Sequence, residues 1–142
     1  MTLEFSISPA SDVPIFRQVM QQLQRAVAVG KLEVGEQLPA VRVLAESLVI
    51  NPNTVARSYQ ELIREGILES RAGRGVFVAE RRQVFSAAER GRRLRHSAGQ
   101  FCHEAILLDA GLPEVRGILE KTWAEIQGEI SRRENPMQRK KK

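Results

Sequence analysis

The chain has 142 residues, 42% of them apolar and 27% charged, with a formal net charge of +5. That suffices for one compact domain plus an accessory piece and argues against global disorder. No apolar run approaches the ~18 residues of a membrane helix, residues 1–14 show no secretory signal, and one cysteine, Cys102, cannot form an internal disulfide; these features suit a cytoplasmic protein.

Charge is unevenly placed. Residues 1–80 hold 8 basic and 9 acidic side chains, whereas residues 81–142 hold 14 and 8. A basic chain fits a nucleic-acid partner, but in the near-neutral first half such a role must rest on pattern, not on bulk charge.

Residues 3–8 alternate and predict a short strand, broken by Pro9. Asp12 can cap a helix with Pro14 in its first turn, and Phe16, Val19, Met20, Leu23 and Val27 give that helix one apolar face ending at Gly30. Lys31 to Pro39 is a connector. A short helix follows with Val41, Leu44, Ala45 and Leu48 inward. Asn51 then caps a third helix whose first residue is Pro52, which needs no backbone donor there. This helix stops at Gly66 and buries Val55, Tyr59, Leu62 and Ile63.

Two short helices, the second strongly capped, form a helix-turn-helix pattern. Ile67–Arg71 and Val76–Val78 are strand-like and flank Ala72-Gly73-Arg74-Gly75, which predicts a β-hairpin. A helix-turn-helix followed at once by a hairpin is a winged helix. Beyond residue 80, Arg81 to Arg95 is Arg-rich and helical in pattern. Leu94, Ala98, Phe101, Ala105, Leu108 and Leu112 step by three and four, as a seam for another helix. Pro113 restarts the chain, and Val115, Leu119, Thr122, Ile126 and Ile130 form a second stripe. Two such helices cannot bury their seams alone, so they read as a helical hairpin that pairs with a second copy.

The expected fold is therefore mainly α with a small β wing: a winged helix-turn-helix DNA-binding domain over 1–79, a two-helix dimerisation hairpin over 80–135 and a basic tail over 136–142. The dimer seam is expected to use Leu94, Ala98, Phe101, Ala105, Leu108, Leu112, Leu119 and Ile126.

On a helical wheel Asn53, Arg57 and Arg64 lie opposite the buried face of the third helix, with Thr54 beside them. Asn suits adenine, Arg suits guanine, and Thr suits a phosphate or a thymine methyl. Taken alone, such a face is most simply a solvated one; the hairpin beside it favours DNA. Arg74, at the hairpin tip between Gly73 and Gly75, could enter a minor groove or hold a phosphate. Arg42 could anchor the DNA backbone or pair with Glu46. The expected DNA-contacting set is Arg42, Asn51, Asn53, Thr54, Arg57, Ser58, Arg71, Gly73 and Arg74.

These motifs resemble a known family. Pro14-Ile15-Phe16-x-Gln18-Val19 is similar to the opening of GntR-type regulators. Gly30-x-Leu32-x-x-Gly35-x-x-Leu38-Pro39-x-x-Arg42-x-Leu44-Ala45 is similar to the centre of that family's signature. Asn51-Pro52-Asn53-Thr54-Val55-x-Arg57-x-Tyr59-x-x-Leu62 is similar to its recognition helix. Arg71-x-Gly73-x-Gly75-x-Phe77-Val78 is similar to its wing. The short helical second half resembles the YtrA-like subfamily. The resemblance implies a dimeric repressor of a palindromic operator in double-stranded DNA, often one controlling transporter genes. It also implies DNA contacts from Arg42, the start of the third helix and the wing. Two positions depart from the family pattern: Ala40 stands where Ser is usual, and Phe16 where Tyr is usual.

Other readings carry less. His96, Cys102 and His103 could suggest a metal- or redox-responsive regulator, but on one helix Cys102 points away from the face the histidines share. No catalytic group, cofactor site or metal site is assembled in the sequence. A sequence-indifferent architectural DNA-binding protein would need more charge in the first half. A small-molecule effector is allowed by the regulatory reading, yet the two-helix region leaves little room for a pocket.

Overall fold

The computed structural model describes residues 3–80 and 85–134. The elements are α1 (Ile15–Ala28), α2 (Val41–Leu48), α3 (Pro52–Arg64), β1 (Leu68–Arg71), β2 (Gly75–Val78), α4 (Ala87–Leu107) and α5 (Leu112–Glu134). They divide into two compact units, residues 1–81 and 82–142. The basic tail, 136–142, lies outside the described residues.

In the first unit α3 is the central element, with α1, α2 and β1 all packed on it. Val19, Leu23, Leu44, Val55, Leu62, Leu68 and Val78 are buried together in one core. The helical apolar spacing of α1 is real, but its deepest residues are Val19, Leu23, Ala26 and Val27, while Phe16 and Met20 sit half-buried at its edge. Tyr59 fills the core beneath α2, and its hydroxyl donates to the Pro39 carbonyl at 2.8 Å. Burial pushes this phenol's pKa well above its ordinary value.

It follows that fold stability falls as pH rises past about 10, because the unfolded phenol then releases a proton that the folded one retains. Tyr59 is the only tyrosine, so the ultraviolet absorbance change that accompanies phenol ionisation reads this group alone. Its ionisation should appear together with unfolding, not before it. Tyr59→Phe should cost about 1–3 kcal/mol in a denaturant titration, since it leaves a buried carbonyl without a donor.

The segment 3–8 is extended but is not a strand, which corrects the sequence expectation. Leu3, Phe5 and Ile7 do pack on the core, as the alternation requires. The edge pairs with side-chain amides from α1 in place of a neighbouring strand. Ser6 N–H donates to Gln22 Oε1 and Gln22 Nε2 donates back to the Ser6 carbonyl, at 2.8 and 2.7 Å. Gln18 clasps Ser8 in the same two-way manner at 2.8 and 2.9 Å. Nor does Asp12 cap α1. Gln18 Nε2 also donates to the Val13 carbonyl, and the helix starts from Pro14 with no side-chain cap.

The wing is a two-stranded antiparallel sheet with Leu68 opposite Val78 and Arg71 opposite Gly75. Its turn closes with Arg74 N–H donating to the Arg71 carbonyl at 2.9 Å. Gly73 at φ +72° and Gly75 at φ +115° supply backbone that side chains other than glycine's resist. The connector before α2 is more ordered than its composition suggests. Leu38 N–H donates to the Val76 carbonyl, and Val78 N–H donates to the Glu36 carbonyl, at 2.8 and 2.9 Å. The wing is therefore braced along the outer edge of β2.

In the second unit Ser86 caps α4 by accepting from Glu89 N–H at 3.1 Å. A short turn with Asp109 at φ +58° leads to α5. The two arms do not bury their stripes on each other. No residue of α5 is buried, and α4 buries Ala105 alone. Leu94, Leu108, Leu112, Leu119 and Ile126 are exposed, Ala98 is exposed, and Phe101 is half-buried. Of the expected seam residues, Ala105 is the one already covered in the single chain. The stripe on α5 also includes Trp123, four residues after Leu119 and 67% exposed, which the sequence reading passed over.

Candidate nucleic-acid interface

The start of α3 is built by its cap. Asn51 Oδ1 accepts from Asn53 N–H at 2.8 Å, and Pro52 occupies the first helical position. This satisfies one of the helix's open donors and fixes where Asn53 and Arg57 emerge one turn apart. Both are exposed, and Thr54 is half-buried between them and the core. Asn51 itself is exposed, but its side-chain oxygen is engaged in the cap.

Ser58 is a correction. It is fully buried, and its hydroxyl lies 2.9 Å from both the Phe16 and the Thr54 carbonyls, which share its one proton. A side chain sealed between α1 and α3 cannot touch DNA. On the wheel Ser58 lies next to Val55 and Leu62, on the buried side of α3, and it is polar in type only.

The arginines differ in how free they are. Arg71 donates from Nε and Nη2 to Glu69 Oε1 at 3.0 and 2.7 Å, and its guanidinium stacks 4.2 Å from the Phe77 ring centre. Arg64 pairs with Glu61 at 3.2 Å. Arg42, Arg57 and Arg74 form no ion pair among the described residues, so of the two alternatives for Arg42 the pair with Glu46 is not made. Arg42 on α2, Arg57 on α3 and Arg74 at the wing tip are thus exposed with unengaged donors, as are other cations outside the expected set, such as Arg17, Arg25 and Lys31. Arg57 has one further contact: its guanidinium lies 3.8 Å from the centre of the Phe16 ring.

Two supports escaped the sequence reading. Gln37 Nε2 donates to the Arg74 carbonyl at 2.8 Å and so braces the wing tip from the connector. A Cβ on Gly75 would come within 2.9 Å of that same Gln37 nitrogen, which couples the brace to the glycine. The only signal available was the spacing of Gln37 before Pro39, and that is too weak to identify a brace.

Arg42, Asn51 and Asn53 line one open groove between α2 and α3, together with Val49 and Ala56. Val49 stands in the tight turn there at φ 55°, ψ 50° and is 89% exposed. A β-branched residue in left-handed backbone costs about 1–2 kcal/mol, and an exposed side chain recovers little of it. Val49→Asn, which tolerates this conformation, should raise unfolding free energy by about 0.5–1 kcal/mol in urea. Ala40 heads α2 with no side-chain cap, in keeping with the absence of a hydroxyl there.

His96, Cys102 and His103 are all exposed on α4. Among the described residues no three His, Cys, Asp or Glu side chains converge as a metal site. No helix among them is long and apolar enough to cross a membrane.

Residues 16–78 match the family described as "Bacterial regulatory proteins, gntR family". The chain is 31% identical over 122 residues to the HTH-type transcriptional repressor YtrA of Bacillus subtilis, covering 86% of this chain and 94% of that one. A transcriptional antiterminator from Listeria monocytogenes has a similar solved structure, with a TM-score of 0.76 at 27% identity over 87% of this chain and 92% of that one. YtrA from Sulfolobus acidocaldarius shares the fold, with a TM-score of 0.53 at 24% identity over 87% of this chain and 99% of that one.

Proposed function

Because this chain belongs to the GntR family of bacterial regulatory proteins, we propose that it is a cytoplasmic repressor that reads a palindromic operator as a homodimer. The observation that carries this reading is the exposed outer face of α3, where Asn53 and Arg57 emerge from a capped helix start with no acidic partner among the described residues. Each α3 enters a major groove at one half-site, and the half-sites lie about one helical turn apart. Asn53 and Arg57 meet base edges, Thr54 and Arg42 meet the backbone, and Gly73 and Arg74 bring the wing to the flanking phosphates or minor groove. The near-neutral charge of the first unit favours base readout over bulk phosphate attraction.

The second unit supplies the dimer. The open stripes of α4 and α5 are the kind of surface that a second copy covers. The domain assignment is the one expected from sequence, with DNA binding over 1–79 and dimerisation over 80–135. Occupying a promoter-proximal site would block polymerase, and the resemblance to YtrA-type repressors supports a transporter operon as the target. An effector would act by favouring one dimer geometry over another.

The test is a titration of the full-length chain against a duplex that it selects from a random DNA pool and against a scrambled duplex, across salt. The reading requires tighter binding to the selected duplex at every salt concentration. Equal affinity for both would replace it with architectural, sequence-indifferent binding.

A further inference from the structure

We propose that Phe16 is a positioning residue for base recognition. Its ring holds the Arg57 guanidinium in one stacked pose and leaves the guanidinium edge free for a guanine. This rests on the reading of Arg57 as a base-contacting residue.

The geometry is specific. Phe16 stands in the first turn of α1, and its carbonyl accepts a hydrogen bond from Ser58 Oγ at 2.9 Å. Ser58 is fully buried and adjoins Arg57 in α3. The backbone that carries the ring is thereby pinned to the backbone that carries the arginine. The ring is half-buried, which fixes it, yet one face remains open to the exposed Arg57. The Arg57 Cζ lies 3.8 Å from the ring centre, close enough for stacking, whereas Arg17 stands off at 5.9 Å.

Stacking and base reading use different parts of a guanidinium. The π contact engages its flat face, while its N–H donors lie in the plane and point outward. A free arginine gives up side-chain entropy when it takes up a bidentate contact. A stacked one has given up part of it already. Among the described residues no acid competes for the Arg57 edge, in contrast to Arg71, which stacks on Phe77 but also bonds Glu69. The two stacked arginines therefore differ: the one on the wing is tied down, and the one on α3 is poised.

The test measures the full-length chain on the duplex it selects from a random pool, as a double-mutant cycle. Phe16→Leu keeps an apolar side chain and removes the π face; Phe16→Met is the second variant if the first melts below the assay temperature. Phe16→Leu should weaken binding about three- to ten-fold. It should also relax discrimination at the same base pair that Arg57→Ala relaxes. Phe16→Tyr should restore both. In an Arg57→Ala background, Phe16→Leu should have no further effect.

If Phe16→Leu instead lowers affinity by the same factor in both backgrounds and leaves base preference intact, Phe16 only supports the fold and the proposal is overturned while Arg57 keeps its role. If Arg57→Ala itself changes neither affinity nor preference, both the base-reading role and this proposal are overturned.

Discussion

Replacing Trp123 with glutamate is expected to turn a dimer into a monomer and to weaken binding to a two-half-site duplex by about 10²–10⁴-fold. The side chain is 67% exposed on a helix that buries nothing in the single chain. Helices of this length gain most of their stability by packing an apolar face. Leu119 and Ile126 extend the same stripe, so in the proposed dimer a charge at Trp123 would sit unpaired within the covered stripe, where removal of an aromatic anchor costs most. Binding to a single half-site should be unchanged, because α3 and the wing belong to the other unit. Sedimentation together with titration of full-site and half-site duplexes separates the two effects. Leu119→Glu should behave alike. If both variants still sediment as dimers, the stripe on α5 is not the seam.

Arg57→Ala is expected to cost about 1–3 kcal/mol of operator binding and to relax preference at one base pair in each half-site. Its donors have no acidic partner among the described residues, so the hydrogen bonds lost are those made with DNA, together with the stacking contact on Phe16. Arg42→Ala provides the contrast. A phosphate interaction carries no sequence information, so this variant should weaken all duplexes alike and reduce the salt slope by about 0.9 for each phosphate that is no longer neutralised. A matching pattern for the two arginines, with uniform weakening in both, would reassign Arg57 to the backbone.

Much of the first unit was legible because its signals are local. The cap of α3 is one residue type followed by Pro52, and the hairpin is two short strand-like runs around Gly73 and Gly75. Both obey rules of backbone conformation that act within a few positions. What escaped were interactions between segments distant in sequence. Residues 3–8 alternate like a strand, and nothing local reveals that Gln18 and Gln22 stand in for its neighbour. Ser58 is polar in type, and the partner that lets it be buried, the Phe16 carbonyl, lies 42 positions away. The bracing of β2 by residues 35–38 was hidden in the same way. In the second unit periodicity located the stripes but not their exposure: Ala105 is covered within the single chain, whereas Trp123, on the α5 stripe, is open.

The central claim is that the outer face of α3 lies in a major groove. Dimethyl sulfate footprinting on the selected duplex tests it directly, because the reagent methylates guanine N7 in the major groove and adenine N3 in the minor groove. The account expects protected guanine N7 positions in two half-sites about one helical turn apart, with protection abolished at one guanine per half-site in Arg57→Ala. Protection confined to adenine N3, with every guanine N7 still reactive, would contradict it.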